Sequence, residues 1–280
     1  MLSLSPNVVR IWLLGAALPL AGCARIFGGQ PEARAPVPAS LPNDGAPELG
    51  VARPPAIASE DDYVVRILVG SVSCSGALIG DDRVLTAHHC VAARDAKGNP
   101  VARDVAPENV RVELGGDYLP WGEVGVRAVL APTCGYVSGD GDLAVLVLER
   151  RLTGVATRPA RLDAPPTKHD QIEPIGFGRC ALSGDGIHRS HRLGGAIELV
   201  ADGRFRLAAA ICPGDSGGPA VSTEGGEILG VISASAMDGD ERTRDRSEFV
   251  RVDRWRGLFA NADMVSSGTN QAELPPIDCK

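Results

Sequence analysis

The feature that most constrains this chain is a succession of short β-rich runs cut apart by Gly, Pro, Asn and Asp. They fall at 63–69, 76–80, 83–86, 110–114, 124–130 and 143–148, then at 171–177, 195–200, 204–207, 227–233 and 249–252. Many short strands separated by turn residues build an all-β sandwich or barrel, because no helical crossover stands between them to support a parallel sheet. Only 254–261 has helical spacing, and no repeat of fixed period is visible. With 280 residues, 44% of them hydrophobic, the chain can bury one large or two small cores.

The first residues carry no such pattern. Arg10 precedes an apolar run at 11–20, followed by small residues and Cys23. That run is shorter than the roughly 20 residues a membrane-spanning helix needs, and reads as an export signal. Its end, Leu20-Ala21-Gly22-Cys23, resembles the bacterial lipobox, which implies acylation of Cys23 and removal of 1–22. Residues 23–59 include Pro31, Pro36, Pro38, Pro42, Pro47, Pro54 and Pro55 and read as an extended tether. A folded domain is expected over 60–264 and a weakly patterned tail over 265–280.

Setting Cys23 aside leaves Cys74, Cys90, Cys134, Cys180, Cys212 and Cys279, an even set, as expected of disulfides in an exported protein. Six cysteines allow 15 pairings, so composition leaves the connectivity open. A net charge of −7 supplies no basic face to displace counterions from phosphates, which excludes nucleic acid as a partner. The densest charged run, 238–248, alternates acids with Arg242, Arg244 and Arg246 and reads as a solvated loop.

Chemistry concentrates in three places. Cys212-Pro213-Gly214-Asp215-Ser216-Gly217-Gly218-Pro219 sets a serine among glycines, where the backbone can take unusual angles and a substrate can approach closely. A serine becomes a competent nucleophile only with a base in reach and a carboxylate to orient that base. Upstream, Val84-Leu85-Thr86-Ala87-His88-His89-Cys90 ends a strand in histidines, and Asp142 heads the apolar run Leu143-Ala144-Val145-Leu146. The Gly214-x-Ser216-x-Gly218 spacing also fits the nucleophile elbow of α/β-hydrolases. That fold places its acid and histidine after the serine, and no histidine follows His191. A metal site on His88, His89 and Cys90 is disfavoured, since adjacent residues rarely point at one ion. His169, His188 and His191 stand in polar, loop-like stretches and read as exposed.

These segments, in the order His, Asp, Ser, resemble the signature segments of the trypsin/chymotrypsin family over about 63–259. The resemblance implies two six-stranded antiparallel Greek-key barrels, 63–152 and 157–252, with a short C-terminal helix. It implies a serine endopeptidase with His89, Asp142 and Ser216 as catalytic triad and the Gly214 and Ser216 amides as oxyanion hole. It assigns the primary specificity pocket to Ala210 and Ile211 at its floor and Ser235 and Ser247 at its walls, with Glu248 or Asp245 as the nearby acids that could reach inward. It implies a Cys74–Cys90 bridge, and by preference Cys180–Cys212 and Cys134–Cys279. His88 takes a place where the family has a small residue and reads as structural. Asp215 in the family pairs with a newly freed amino terminus. No Ile-Val-Gly-Gly precedes the first strand here and Pro54 follows Arg53, so an internal donor, or a terminus made near Ile57, is expected instead. The expected protein is a monomer of the bacterial cell envelope, anchored to membrane at Cys23, acting on proteins or peptides without metal or cofactor. The competing expectation is a non-catalytic binding or scaffold lipoprotein that keeps the protease fold.

Overall fold

The computed structural model describes residues 59–136, 139–180, 186–235, 245–277 and 279. The chain divides into two units, 1–46 and 47–280, and all described residues belong to the second. The expected export signal, the expected lipidation site Cys23, the terminus expected near Ile57 and all of the expected tether but Ser59 lie outside them.

The first runs become β1 (Val64–Val69), β2 (Val72–Gly80) and β3 (Arg83–Thr86). A single helical turn, α1 (His88–Val91), leads into the hairpin β4 (Ala92–Arg94) and β5 (Pro100–Asp104). Then come β6 (Val110–Gly115), β7 (Pro120–Leu130) and β8 (Ala144–Leu148). Six of these close into an antiparallel barrel in the order β1-β2-β3-β8-β7-β6. Alternation sets inward residues such as Val110, Val112 and Leu114 apart from the outward Arg111 and Glu113. Strand β8 is buried at every position because its outer face meets α2 (Arg256–Ser266), so it reads as a continuous apolar run.

The second half holds β9 (Gln171–Gly176), β10 (Ser190–His191), β11 (Gly195–Ala196), β12 (Leu199–Val200), β13 (Arg204–Ala209), β14 (Pro219–Ser222), β15 (Ile228–Ser235) and β16 (Asp245–Arg251). They form one sheet of eight strands, with β9-β14-β15-β16-β13 at its centre. The run expected as one strand at 195–200 is split: β11 pairs with β9, while β12 pairs with β13. That segment passes from β9, near one end of the sheet, to β13, near the other, and this sheet of eight strands stands where the resemblance implies the second six-stranded barrel. Its core centres on Phe205 and Phe249, cross-strand partners whose rings stack with centroids 5.1 Å apart. Strand β14 was not legible, since its four residues follow the Gly-rich loop. Its proline opens the strand, where a missing N–H costs little.

The C-terminal helix begins after a 3₁₀ turn at Asp253–Trp255 and runs on through Ser266, so the expected boundary at 264/265 falls inside it. The apolar stripe Leu258, Ala262 and Val265 continues against the first core. Beyond it the tail crosses the first barrel, with Leu274 and Ile277 packed on the core and Gln271 Nε2 donating to the Val129 carbonyl at 2.9 Å.

Candidate active site

Strand β3 delivers α1 to the barrel rim, and there the two histidines part. His88 is fully buried, with Nε2 2.7 Å from Asp104 Oδ1 and its ring on Tyr136 at 4.2 Å. Asp104 is the last residue of β5, paired with Ala92 in the β4–β5 hairpin. His89 instead points its ring at Asp142: Nδ1 lies 2.8 Å from Oδ2 and 3.1 Å from Oδ1, and the His89 amide donates to Oδ1 at 2.9 Å.

Asp142 has no exposed surface. Ser233 Oγ, on β15, also donates to its Oδ2 at 2.5 Å. Burial works against the charge of this carboxyl, but the His89 ring, Ser233 and the His89 amide outweigh it and hold the group below the ordinary carboxylate range. The charged acid therefore fixes the imidazole by its Nδ1 edge and leaves Nε2 for other work.

Ser216 comes from the other half. Its carbonyl accepts from the Ser75 amide at 2.8 Å, and Ser75 Oγ donates to the Gly214 carbonyl at 2.8 Å while accepting from the Phe177 amide at 2.8 Å. Ser75 thus ties the serine loop to β2 and to the end of β9. At Gly217, with φ +85°, a Cβ would sit 2.2 Å from Thr86 Oγ1 and 2.3 Å from the Ser75 carbonyl, so only glycine lets the loop meet the barrel. Cys90 Sγ lies 3.8 Å from His89 Nε2 and 3.6 Å from the Ser216 carbonyl, so His89 and Ser216 lie close to one another. Among the described residues, no hydrogen bond joins Ser216 Oγ to His89 Nε2, and neither the Gly214 nor the Ser216 amide has an acceptor. Two unspent N–H groups beside a hydroxyl can bind an oxyanion.

The other expected residues are placed as follows. Ala210 and Ile211 are buried. Ser235 Oγ lies 2.8 Å from Ser247 Oγ, and Ser247 Oγ donates to the Ala209 carbonyl at 3.2 Å, tying together the ends of β13, β15 and β16. Glu248, one of the two acids that could reach inward, pairs with Arg204 and Arg206. It shares their face of the sheet, opposite Ser247, so alternation aims it away; the Asp245 side chain lies outside the described residues. The bridges are Cys74–Cys90, Cys134–Cys279 and Cys180–Cys212. His191 is exposed yet bound, with Nε2 2.8 Å from Asp61 Oδ2 and Nδ1 3.0 Å from Glu173 Oε2. Asp215 is buried and meets Arg192, Nε 2.9 Å from Oδ2, a partner with no local signal in the sequence. Ser75, beside Cys74, was likewise missed as part of the site, and Ser233, two residues before the expected wall residue Ser235, was not expected to bind Asp142.

A closed six-stranded barrel joined to a second β sheet, with a His–Asp pair from one half meeting a glycine-bounded serine from the other, defines the chymotrypsin-like class of protease fold. The chain belongs to the trypsin family, whose model matches residues 51–256. It is 28% identical over 246 residues to the human peroxisomal leader peptide-processing protease, covering 83% of this chain and 38% of that protein. It is 30% identical over 165 residues to the chloroplastic Protease Do-like 2 of Arabidopsis thaliana, covering 56% of this chain and 23% of that one. The chain therefore spans well under half the length of either relative. Among solved structures, a Glu endopeptidase in complex with MPD is similar in fold, with a TM-score of 0.57 at 18% identity over 76% of this chain and 94% of that chain.

Proposed function

We propose that the protein is an exported, lipid-anchored serine endopeptidase that cleaves peptide bonds through an acyl-enzyme. The observation that carries this reading is the His89–Asp142–Ser233 network set beside Ser216, with the Gly214 and Ser216 amides unspent. In this reading Ser216 Oγ attacks the scissile carbonyl and His89 Nε2 takes its proton. The oxyanion forms against the two amides, the His89 proton passes to the leaving amine, and water then repeats the sequence on the ester. Asp142 holds the tautomer and stabilises the imidazolium. Three disulfides fit an oxidising, exported setting. The anchor at Cys23 rests on the lipobox-like Leu20-Ala21-Gly22-Cys23.

The pocket residues support a preference for small or medium uncharged side chains before the scissile bond. Ala210 offers no acid to pair with a buried cation, and the Ser235–Ser247 contact draws two strand ends together. Fluorophosphonate labelling tests the reading: the wild-type chain should take one label, at Ser216, and Ser216→Ala none. A wild-type chain that resists the probe would instead support a non-catalytic scaffold. In peptide-library profiling, strong selectivity for Lys or Arg would overturn the pocket assignment.

A further inference from the structure

Asp215 stands immediately before the proposed nucleophile with no exposed surface. Both oxygens are engaged: Oδ1 accepts from the Gly178 amide at 2.7 Å and from Arg192 Nη2 at 3.1 Å, and Oδ2 accepts from the Cys212 amide at 2.9 Å. Arg192 Nε lies 2.9 Å from the same Oδ2. Burial pushes this carboxyl up, and the Arg192 cation is the largest influence opposing it. The Arg192 side chain is 4% exposed, and its Nη2 also donates to the Gly178 carbonyl at 2.9 Å. A buried carboxylate persists only where a cation and hydrogen bonds replace its water, and here both come from the folded domain.

The pair lies beneath the loop that holds the two unspent amides. Asp215 bonds the Cys212 amide by its side chain and the Cys212 carbonyl by its own amide, at 3.0 Å. Residues 212–216 are thus stapled into one turn, with Gly214 at φ +104°. Arg192 is itself anchored: its amide donates to the Pro174 carbonyl at 2.8 Å. Its neighbours His191 and Arg189 grip Asp61 and Asp62.

We infer that Arg192 is the positioning residue that sets the oxyanion-binding turn through Asp215, so that the site is assembled without a freed amino terminus. This rests on the reading of Ser216 as nucleophile. It makes Arg192, which touches no reacting atom, a determinant of turnover rather than of substrate affinity.

The test uses the full chain, matured in its expression host, with Arg192→Met and Arg192→Lys beside it. Wild-type labelling at Ser216, with intact mass recording the amino terminus of the labelled species, is the control. Arg192→Met should lower kcat by about 100- to 1000-fold, the loss typical of a disrupted oxyanion site, with KM nearly unchanged. Arg192→Lys keeps the charge and loses the planar guanidinium that lies against both carboxylate oxygens, so its kcat should lie between the two. Wild-type kcat in Arg192→Met would overturn the inference while leaving Ser216 in place, as would labelling confined to chains with a new terminus near Ile57. Should Arg192→Met fail to fold by circular dichroism, Arg192→Lys decides, and unchanged kcat there overturns it. A wild-type chain that takes no label sinks both readings.

Discussion

A histidine between two carboxylates keeps its proton longer than a free one, and His191 occupies that position between Asp61 and Glu173. Partial burial works against the charged ring, but hydrogen bonds and attraction from both acids outweigh it and raise its pKa above 6.5. A group whose pKa is higher in the folded state stabilises the fold fully below its unfolded pKa, and that contribution is lost as pH rises through the folded value. The melting temperature of wild type should therefore exceed that of His191→Gln at about pH 6 by more than it does at about pH 8.5. Thermal melts across that range check it, and a difference independent of pH would contradict the pairing. Asp142 has the opposite sign: its lowered pKa keeps it charged until well into acid, so its hold on His89 fails only as pH falls through that depressed value.

At the scale of elements, the serine loop reaches the first barrel only because Gly217 has no side chain. Gly217→Ala puts a methyl into the Ser75 backbone and Thr86 at a positive φ, combining overpacking with left-handed strain. About 3 kcal/mol of destabilisation is expected, read as a lower urea midpoint; an unchanged midpoint would contradict the close approach. Elements were legible in the sequence in proportion to their apolar periodicity. Strands β1, β3, β6, β8 and β9 lie where alternation or continuous apolar runs place them. Strand β14 hid behind a proline and a glycine loop, and α2 outran its expected end because Ala262 and Val265 extend a stripe that short windows miss. Within the site, the His, Asp and Ser segments stood out because their chemistry is local: a strand end, a strand head, a Gly-rich turn. Ser233 and Arg192 did not. Each acts on a carboxylate far away in the chain, Ser233 on Asp142 and Arg192 on Asp215, and only the folded sheet brings them together.

Over the whole molecule, the tail is drawn across the first barrel and fastened by Cys134–Cys279, which spans 145 residues. A cross-link over so long a loop removes much freedom from the unfolded chain, so Cys134→Ser/Cys279→Ser should cost about 2–5 kcal/mol, measured by denaturant unfolding. The bridge also borders the approach to Asp142: a Cβ on Gly141 would sit 2.7 Å from Cys134 Sγ. Activity should fall with stability in this variant, and unfolding at the wild-type midpoint would contradict the strapping role.

The central claim is that Ser216 carries a covalent acyl intermediate. Pre-steady-state hydrolysis of an activated ester tests it most directly. The wild-type chain should release a burst of one leaving group per molecule before its steady rate, and Ser216→Ala should show no burst. Ester hydrolysis with an undiminished burst in Ser216→Ala would contradict the account.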